Sequence, residues 1–541
     1  MPINTEANTS ESNFFFKISS WFESSLIGCF IVFIAGGLLP LAFSPVNFYL
    51  IAVLSPAVLF YAFLFATPRR AAWLGWWFGM GLFGVGVSWV FVAIYVFGLS
   101  SIFASIILTF LSISFIALFI ALQGYLSVLF IQKCNVQNRT LIILVVFPLF
   151  WVLLEWFRGW FLTGFPWLSL GYSQTVSFLS GYAAVLGVYG LSWLTALSSS
   201  LLLVPLLHSK NKKIFPALLS VAVIWFGGYF LSQIDWTEVT GKPIKVSLVQ
   251  GNVEQKNKWD PNHFNKRKQR YLSLTQKHWD SDLILWPENS LTIFHHQLKE
   301  NFLMSLAEEA KKQNTDIILG LPVLDRKKDE YFSSLMAINN SNVINNSEQF
   351  YHKNHLVPFG EYVPLASLLR GLISFFDLPM SGFTPGQYNQ KLLTAAGQKI
   401  APTICYEDTF GEDLIRFLPE ATLLLNASNN AWYGDSFAPH QHLQISQMRA
   451  LETGRDMMRV TTNGVSALIN YKGKIISRSP QFQEYVVTGY MQPRTGSTPY
   501  VTWGNYALLL FIVLGLTASP LYTKYRKYIN NKFQKIEKYF R

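Results

Sequence analysis

The chain has 541 residues, of which 51% are hydrophobic, 16% aromatic and 14% charged. Soluble globular chains carry about 25% charge, so this composition excludes a protein wholly surrounded by water. The length allows two or more domains at roughly 150 residues each. The net charge is +12, and +6 of it lies in the tail after Leu521. That tail holds Lys524, Arg526, Lys527, Lys532, Lys535, Lys538 and Arg541 against Glu537, directly behind an apolar run. A juxtamembrane cluster of this kind is a topology signal and a contact for anionic lipid, not a nucleic-acid patch. Cys29, Cys134 and Cys405 are the three cysteines, an odd number with no close pair, which offers no disulfide framework.

In chain order, seven apolar segments come first, at about 26–44, 47–66, 72–97, 101–130, 141–162, 181–207 and 214–232. Each is near the ~20 residues that cross a bilayer. The fourth is long enough to tilt or protrude. The first is read as a span, because it lacks a clear small-residue cleavage site and a second follows at once. An eighth apolar segment runs from about 506 to 522. Lys17, Arg69 with Arg70, Lys133 with Arg139, and Lys210, Lys212 and Lys213 make every second connection basic. Both termini are therefore expected on the cytoplasmic side, with residues 233–505 opposite.

The 233–505 insertion is polar, with short apolar runs. Expected strands are Ile244–Gln250, Asp282–Trp286, Asp316–Leu319, Lys399–Cys405, Thr422–Asn426 and Val465–Asn470. Asn301–Gln313 and His440–Asp456 have helical spacing. Strands mixed with helices indicate one α/β domain.

Three residues in this domain form a chemical unit. Cys405 stands at the exit of an apolar strand, in Thr403-Ile404-Cys405-Tyr406-Glu407. A lone cysteine is more often a buried structural residue, but its companions argue for chemistry. Glu288 follows Leu283-Ile284-Leu285-Trp286-Pro287. A carboxylate held at an apolar strand end is expected to have a raised pKa, which suits a general base. Lys353 lies in a stretch poor in charge, eight residues before Glu361. An ammonium about 4 Å from a thiolate is worth roughly 4 kcal/mol at an effective dielectric of ~20. Lys353 is therefore expected to lower the thiol pKa and to face the oxyanion of a tetrahedral intermediate.

Trp286-Pro287-Glu288, Lys353 in its His355-Leu356-Val357-Pro358-Phe359-Gly360-Glu361 context, and Cys405-Tyr406-Glu407 together resemble the Glu-Lys-Cys triad of the nitrilase superfamily. With eight spans around it, the chain resembles the membrane-embedded branch of that superfamily, the bacterial apolipoprotein N-acyltransferases. The resemblance extends to Gly164-Phe165-Pro166-Trp167, Gln250-Gly251-Asn252, Lys258-Trp259-Asp260 and Asp377-Leu378-Pro379-Met380-Ser381. It implies a membrane helical bundle carrying an extracytoplasmic αββα sandwich. It also implies Cys405 as nucleophile, Glu288 as base, Lys353 as stabiliser of the charged intermediate and Glu361 as a second essential carboxylate. Tyr406 and Glu407 would support the site. Trp259 would sit on a mobile entrance loop, and Phe376 would contact the acyl chain. The implied reaction is ping-pong, from a phospholipid, typically phosphatidylethanolamine, through an S-acyl enzyme to the α-amine of a diacylglyceryl-cysteine lipoprotein. No cofactor or metal is implied. The expected setting is a monomer in the bacterial inner membrane with its catalytic domain in the periplasm.

Other signals are weaker. His440-Gln441-His442 does not put two ligands on one helix face, so a metal site is not expected. Arg449, Glu452 and Arg455 read as a salt-bridged surface or a buried structural set, and Glu155 with Arg158 as a mutual pair inside a span. Two rival functions stand beside acyl transfer. One is a membrane-tethered amide hydrolase, for which a single anchor would suffice. The other is a transporter or channel with a receptor domain, which would need more polar residues along the spans.

Overall fold

The computed structural model describes residues 20–98, 101–207, 214–339, 348–362 and 382–539. Of the residues used above to orient the chain, Lys17, Lys210, Lys212, Lys213 and Arg541 lie outside the described residues. Every apolar segment contains helix. Among the described residues, five helices are long and apolar enough to cross a membrane: Ile102–Lys133, Arg139–Arg158, Phe178–Leu207, Ile214–Ser232 and Tyr506–Gln534. A sixth candidate, Pro68–Gly86 followed by Val90–Val96, bends by 64° at its break. Leu26–Ala42 and Ile51–Phe63 are shorter. Pro40 starts a tight 3-10 turn that closes the first of these, and Pro56 lies inside the second. Hydropathy alone reads through such prolines, although each removes a backbone donor. Ile102–Lys133 has 32 residues, about 48 Å of helix at 1.5 Å per residue, which exceeds the ~30 Å hydrocarbon core.

The outer surface of these helices is apolar. Phe103 is 71% exposed, Phe215 73% and Phe230 66%. Water does not favour a contiguous surface of this kind, whereas lipid does.

Among the described residues, the region 244–491 holds two six-stranded sheets. The first runs, edge to edge, Tyr485–Met491, Ile244–Gln250, Leu283–Leu285, Asp316–Asp325, Glu330–Ile338, Gln349–His352. The second runs Ile475–Arg478, Ala467–Ile469, Met457–Thr461, Leu423–Ser428, Gln398–Ile404, Leu393–Ala395. In each sheet three adjacent strands run parallel and the remaining pairings are antiparallel: 244–250, 283–285 and 316–325 run parallel, as do 398–404, 423–428 and 457–461. Period-two alternation decides the layers. Leu283 and Leu285 join Val246, Leu248, Ile400, Leu425 and Met458 in the core between the sheets. Ile284 points the other way and packs with Phe264, Tyr271 and Leu306. Those residues belong to the helices Phe264–Gln276 and Met304–Lys312, which cover the first sheet.

The helix Ala438–Thr453 serves two neighbours. Leu443 and Ala450 pack with residues of the second sheet, while Ala438, Ile445 and Met448 pack into the core of the bundle. Buried between two bodies, it must satisfy its polar side chains internally. Gln441 accepts from Trp89 Nε1 at 3.2 Å and Trp167 Nε1 at 2.7 Å, and donates to Gly86 O at 3.0 Å. Glu452 accepts from Val188 N at 2.7 Å and from Arg449 at 3.0 Å. Arg455 donates to Ala421 O at 2.8 Å and Gly496 O at 2.7 Å. The expected structural set is thus a buried one.

Glu155 and Arg158 do not form the mutual pair expected of them. Glu155 accepts from Leu170 N at 2.8 Å and Trp151 Nε1 at 2.9 Å. Arg158 donates to Phe165 O and, at 2.7 Å, to Trp167 O. Buried backbone groups of an irregular loop need partners, and these two side chains supply them.

Gln441→Ala leaves two indole N–H groups and one carbonyl without their partner, each worth about 1–3 kcal/mol when buried and unpaired. The variant is expected to unfold at a clearly lower temperature in detergent. An unchanged midpoint would mean that Gln441 does not hold the two bodies together.

Candidate active site

Three strand ends bring the candidate residues together. Glu288 follows Leu283–Leu285, Lys353 follows Gln349–His352, and Cys405 follows Gln398–Ile404. The turn at Glu288 lies flat against Gly320 of the next strand, where a Cβ would come within 2.4 Å of Pro287 O. Asn289 takes a φ of +43° there and donates to Ser333 Oγ at 3.1 Å. Lys353 is fixed through its backbone, which donates to Ser333 O and accepts from Gly386 N, both at 2.8 Å.

The Lys353 side chain is 1% exposed. Its Nζ donates to Glu361 Oε1 at 2.7 Å and to Glu288 Oε1 at 3.4 Å. Glu361 Oε2 accepts from Val357 N at 2.8 Å. Lysine and both carboxylates are buried. Burial pulls the Lys353 ammonium down, but Glu361 and Glu288 outweigh it and hold the group well above the usual lysine range. Glu361 goes up, because burial outweighs the lysine.

Cys405 opens a tight turn, Cys405–Thr409, with φ at +53°. A non-glycine residue rarely adopts this conformation, and its surroundings enforce it. Its carbonyl accepts from Asn426 Nδ2 at 3.0 Å and faces His442 Nε2 at 3.2 Å. Asn430 Nδ2 lies 3.1 Å from His442 Nδ1, so that nitrogen accepts and Nε2 carries the proton. Nε2 also faces Asp408 Oδ1 at 2.7 Å. Arg459 completes the network through Asn426 Oδ1 at 2.6 Å and Asp408 Oδ2 at 3.3 Å. His442 therefore positions backbone. Among the described residues no group of three ligand side chains forms a metal site.

Glu407 joins two of the strand ends. Its Oε1 accepts from Asn354 N at 2.7 Å and His355 N at 3.1 Å, its Oε2 from Ile404 N at 2.7 Å. Tyr351 OH is 3.0 Å from both oxygens. One carboxylate thus ties the residues flanking Lys353 to those flanking Cys405. Tyr406 turns toward the bundle. Its hydroxyl donates to Gly164 O at 2.9 Å, and its ring stacks on Trp167 with centroids 6.5 Å apart. Gly164 has φ +83°, and a Cβ there would sit 2.0 Å from Gly159 O, so the loop that receives Tyr406 requires glycine.

Trp259 follows the short helix Gln255–Lys258 and packs with Leu356, Phe383, Tyr331 and Tyr362. Its segment is latched at several points. Arg267 donates to Asn257 O at 2.6 Å and Thr292 Oγ1 at 2.6 Å, and Asn429 Nδ2 to Gln255 Oε1 at 2.8 Å. Phe376 lies outside the described residues.

The thiol corrects one expectation. Burial, then the Glu288 carboxylate, push Cys405 up to about 12, and Lys353 offsets this only in part. The sequence gives the charges, but the extent of burial comes from the fold. Sequence reasoning also passed over Asn426, His442 and Asp408 as clamps on Cys405, and Lys258. His442 was visible only as half of a His-x-His, and Lys258 only as part of a quoted motif.

A thiol near 12 is almost fully protonated at neutral pH, whereas a free cysteine near 8.5 is partly ionised. Alkylation by iodoacetamide at pH 8 is therefore expected to be at least about 100-fold slower at Cys405 than at half-exposed Cys134. As pH rises towards 12 the thiolate fraction grows, so the Cys405 rate is expected to climb steadily. Labelling of Cys405 that is fast and saturated below pH 7 would show a standing thiolate.

The model of the apolipoprotein N-acyltransferase N-terminal domain matches residues 35–201, and that of carbon-nitrogen hydrolase matches residues 245–500. The chain is 43% identical to the apolipoprotein N-acyltransferase of Methylococcus capsulatus, over 87% of this chain and 91% of that one. It is 38% identical to that of Coxiella burnetii, over 89% and 98%, and 41% identical to that of Azotobacter vinelandii, over 89% and 92%. With a nitrilase-like sandwich seated on apolar helices and relatives this similar across nearly their whole length, the chain belongs to the apolipoprotein N-acyltransferase family.

Proposed function

We propose that the chain is a membrane acyltransferase that moves a fatty acyl group from a phospholipid to an apolipoprotein through a thioester on Cys405. The donor is phosphatidylethanolamine, and the acceptor is the α-amine of the N-terminal diacylglyceryl-cysteine. In the first half-reaction Glu288 takes the Cys405 proton as sulfur attacks the ester carbonyl. A raised thiol makes this transfer part of the attack instead of a prior ionisation. Lys353 faces the oxyanion. The C–O bond breaks, the lysophospholipid alkoxide takes the proton from Glu288, and the S-acyl enzyme remains. In the second half-reaction the acceptor amine attacks the thioester, Glu288 takes the amine proton, and the departing thiolate regains it. Glu361 keeps Lys353 charged and in place. Trp259 lies at the entrance, and Phe376 meets the acyl chain.

The observation that carries this reading is the seat of Cys405. The next residue, Tyr406, is hydrogen-bonded to Gly164 of the bundle, so the nucleophile's turn is built onto the membrane part. A hydrolase of small soluble amides has no need of that seat. Water must also be kept from a thioester, or transfer becomes hydrolysis. In this reading 1–232 form a bundle of seven spans, 233–505 the catalytic domain and 506–541 the eighth span with a basic tail. Both termini are cytoplasmic, and the catalytic domain lies on the periplasmic side of the inner membrane. The enzyme acts as a monomer.

Incubating the purified protein with phosphatidylethanolamine is expected to add one acyl mass, released by hydroxylamine and absent in Cys405→Ala. Glu288→Gln and Lys353→Ala are expected to lose at least about 100-fold in acylation rate, the low end for a general acid–base group, while still folding. Acylation that persists in Cys405→Ala would remove Cys405 from the role. Ammonia release from small amides with phospholipid untouched would favour the hydrolase.

A further inference from the structure

A second lysine enters the same cluster. Lys258 ends the Gln255–Lys258 helix and is 2% exposed. Its Nζ donates to the main-chain oxygen of Glu288 at 2.9 Å. The groups whose charge it feels are the Glu288 carboxylate and Cys405, which attract its proton, and Arg267 and Lys353, which repel it.

The charge count of the cluster gives this ammonium a purpose. Glu288 and Glu361 as carboxylates with Lys353 alone carry a net negative charge. Moving the thiol proton to Glu288 leaves that total unchanged, and so does placing negative charge on a tetrahedral oxyanion. Isolated charge in a buried site is costly. A charged Lys258 brings the cluster to neutrality through every step. Its hydrogen bond also fixes the backbone of the residue that takes the proton. Neither contact requires Lys258 to touch substrate.

We infer that Lys258 is a positioning residue for the first half-reaction, which anchors Glu288 through its carbonyl and, as an ammonium, balances the second carboxylate of the site. The inference rests on Cys405 being the acylated residue. Lys258 also starts the turn that carries Trp259, so the same side chain latches the Trp259 segment to the Glu288 turn.

The sign of the pH effect follows. Burial pulls the Lys258 ammonium down to about 8, against the pull of Glu288 and Cys405. The charged form prevails below that value and is lost above it. Lys353 titrates far higher, so a limb near 8 in the acylation rate belongs to Lys258. Arginine keeps its charge beyond about pH 12.

The test is the initial rate of acyl-enzyme formation from phosphatidylethanolamine, by intact mass, between pH 6 and 10. Measuring this half-reaction alone leaves out titration of the acceptor amine. In the parent enzyme the rate is expected to fall towards tenfold per unit above pH 8. Lys258→Met is expected to lower it about tenfold or more at pH 7, the equivalent of one pKa unit, and to remove the limb. Lys258→Arg is expected to retain more activity than Lys258→Met and to stay flat through pH 8–10. A limb near 8 that persists in Lys258→Arg, or a Lys258→Met enzyme with the parent rate and profile, would overturn the inference while leaving acylation of Cys405 intact. No adduct in the parent enzyme would overturn the acyl-transfer reading and this inference with it.

Discussion

The site depends on one buried cation. Lys353 lies between Glu361 at 2.7 Å and Glu288 at 3.4 Å, with almost no exposure. Two carboxylates cannot share a dry cleft without it. Removing one partner from such a buried group costs roughly 3–5 kcal/mol, far more than an exposed pair is worth. The strands that end at Glu288, Lys353 and Cys405 must therefore be held in register closely enough to keep these contacts. Glu407 does part of this by binding backbone N–H groups on both sides of the cleft. Asn426 and His442 do another part by holding the carbonyl of Cys405 in its left-handed turn.

The same rigidity extends into the membrane part. The helix Ala438–Thr453 lends one face to the second sheet and the other to the bundle. Gln441 and Glu452 bond to the bundle at 86–89, 167 and 188. Tyr406, the residue after Cys405, bonds to Gly164. Glu155 and Arg158 in turn hold the loop that contains Gly164. A chain of direct contacts thus links charged residues inside an apolar helix to the thiol. For the thiol to meet a lipid ester, as proposed, the apolar helices and the cleft must keep a fixed geometry, and these contacts provide one.

Much of this was legible in the sequence, and the failures have physical causes. Long apolar runs marked the helices, but 26–44 and 47–66 were overread, since helix covers only Leu26–Ala42, closed by the turn that contains Pro40, and Ile51–Phe63. Six strands were visible as apolar runs. Met457–Thr461 was not, because Arg459 interrupts it, although Asn426 and Asp408 accept from that guanidinium inside the protein. Cys405, Glu288, Lys353 and Glu361 were recognisable by type and spacing, and the fold brings them together. The direction of the thiol's pKa was not recognisable. It turns on burial, which wins over a nearby ammonium here. Glu155 and Arg158 were seen as partners because i, i+3 neighbours usually are, whereas the irregular loop beside them needed both.

Acyl transfer between two lipidic substrates is most directly tested in a single turnover. The S-acyl enzyme would be formed, freed of phospholipid, and mixed with a synthetic diacylglyceryl-cysteine peptide. The account expects the enzyme to lose its acyl mass at the rate at which the peptide gains it on the α-amine. Loss of the acyl mass to water at the same rate with or without peptide, with no acylated peptide formed, would contradict it.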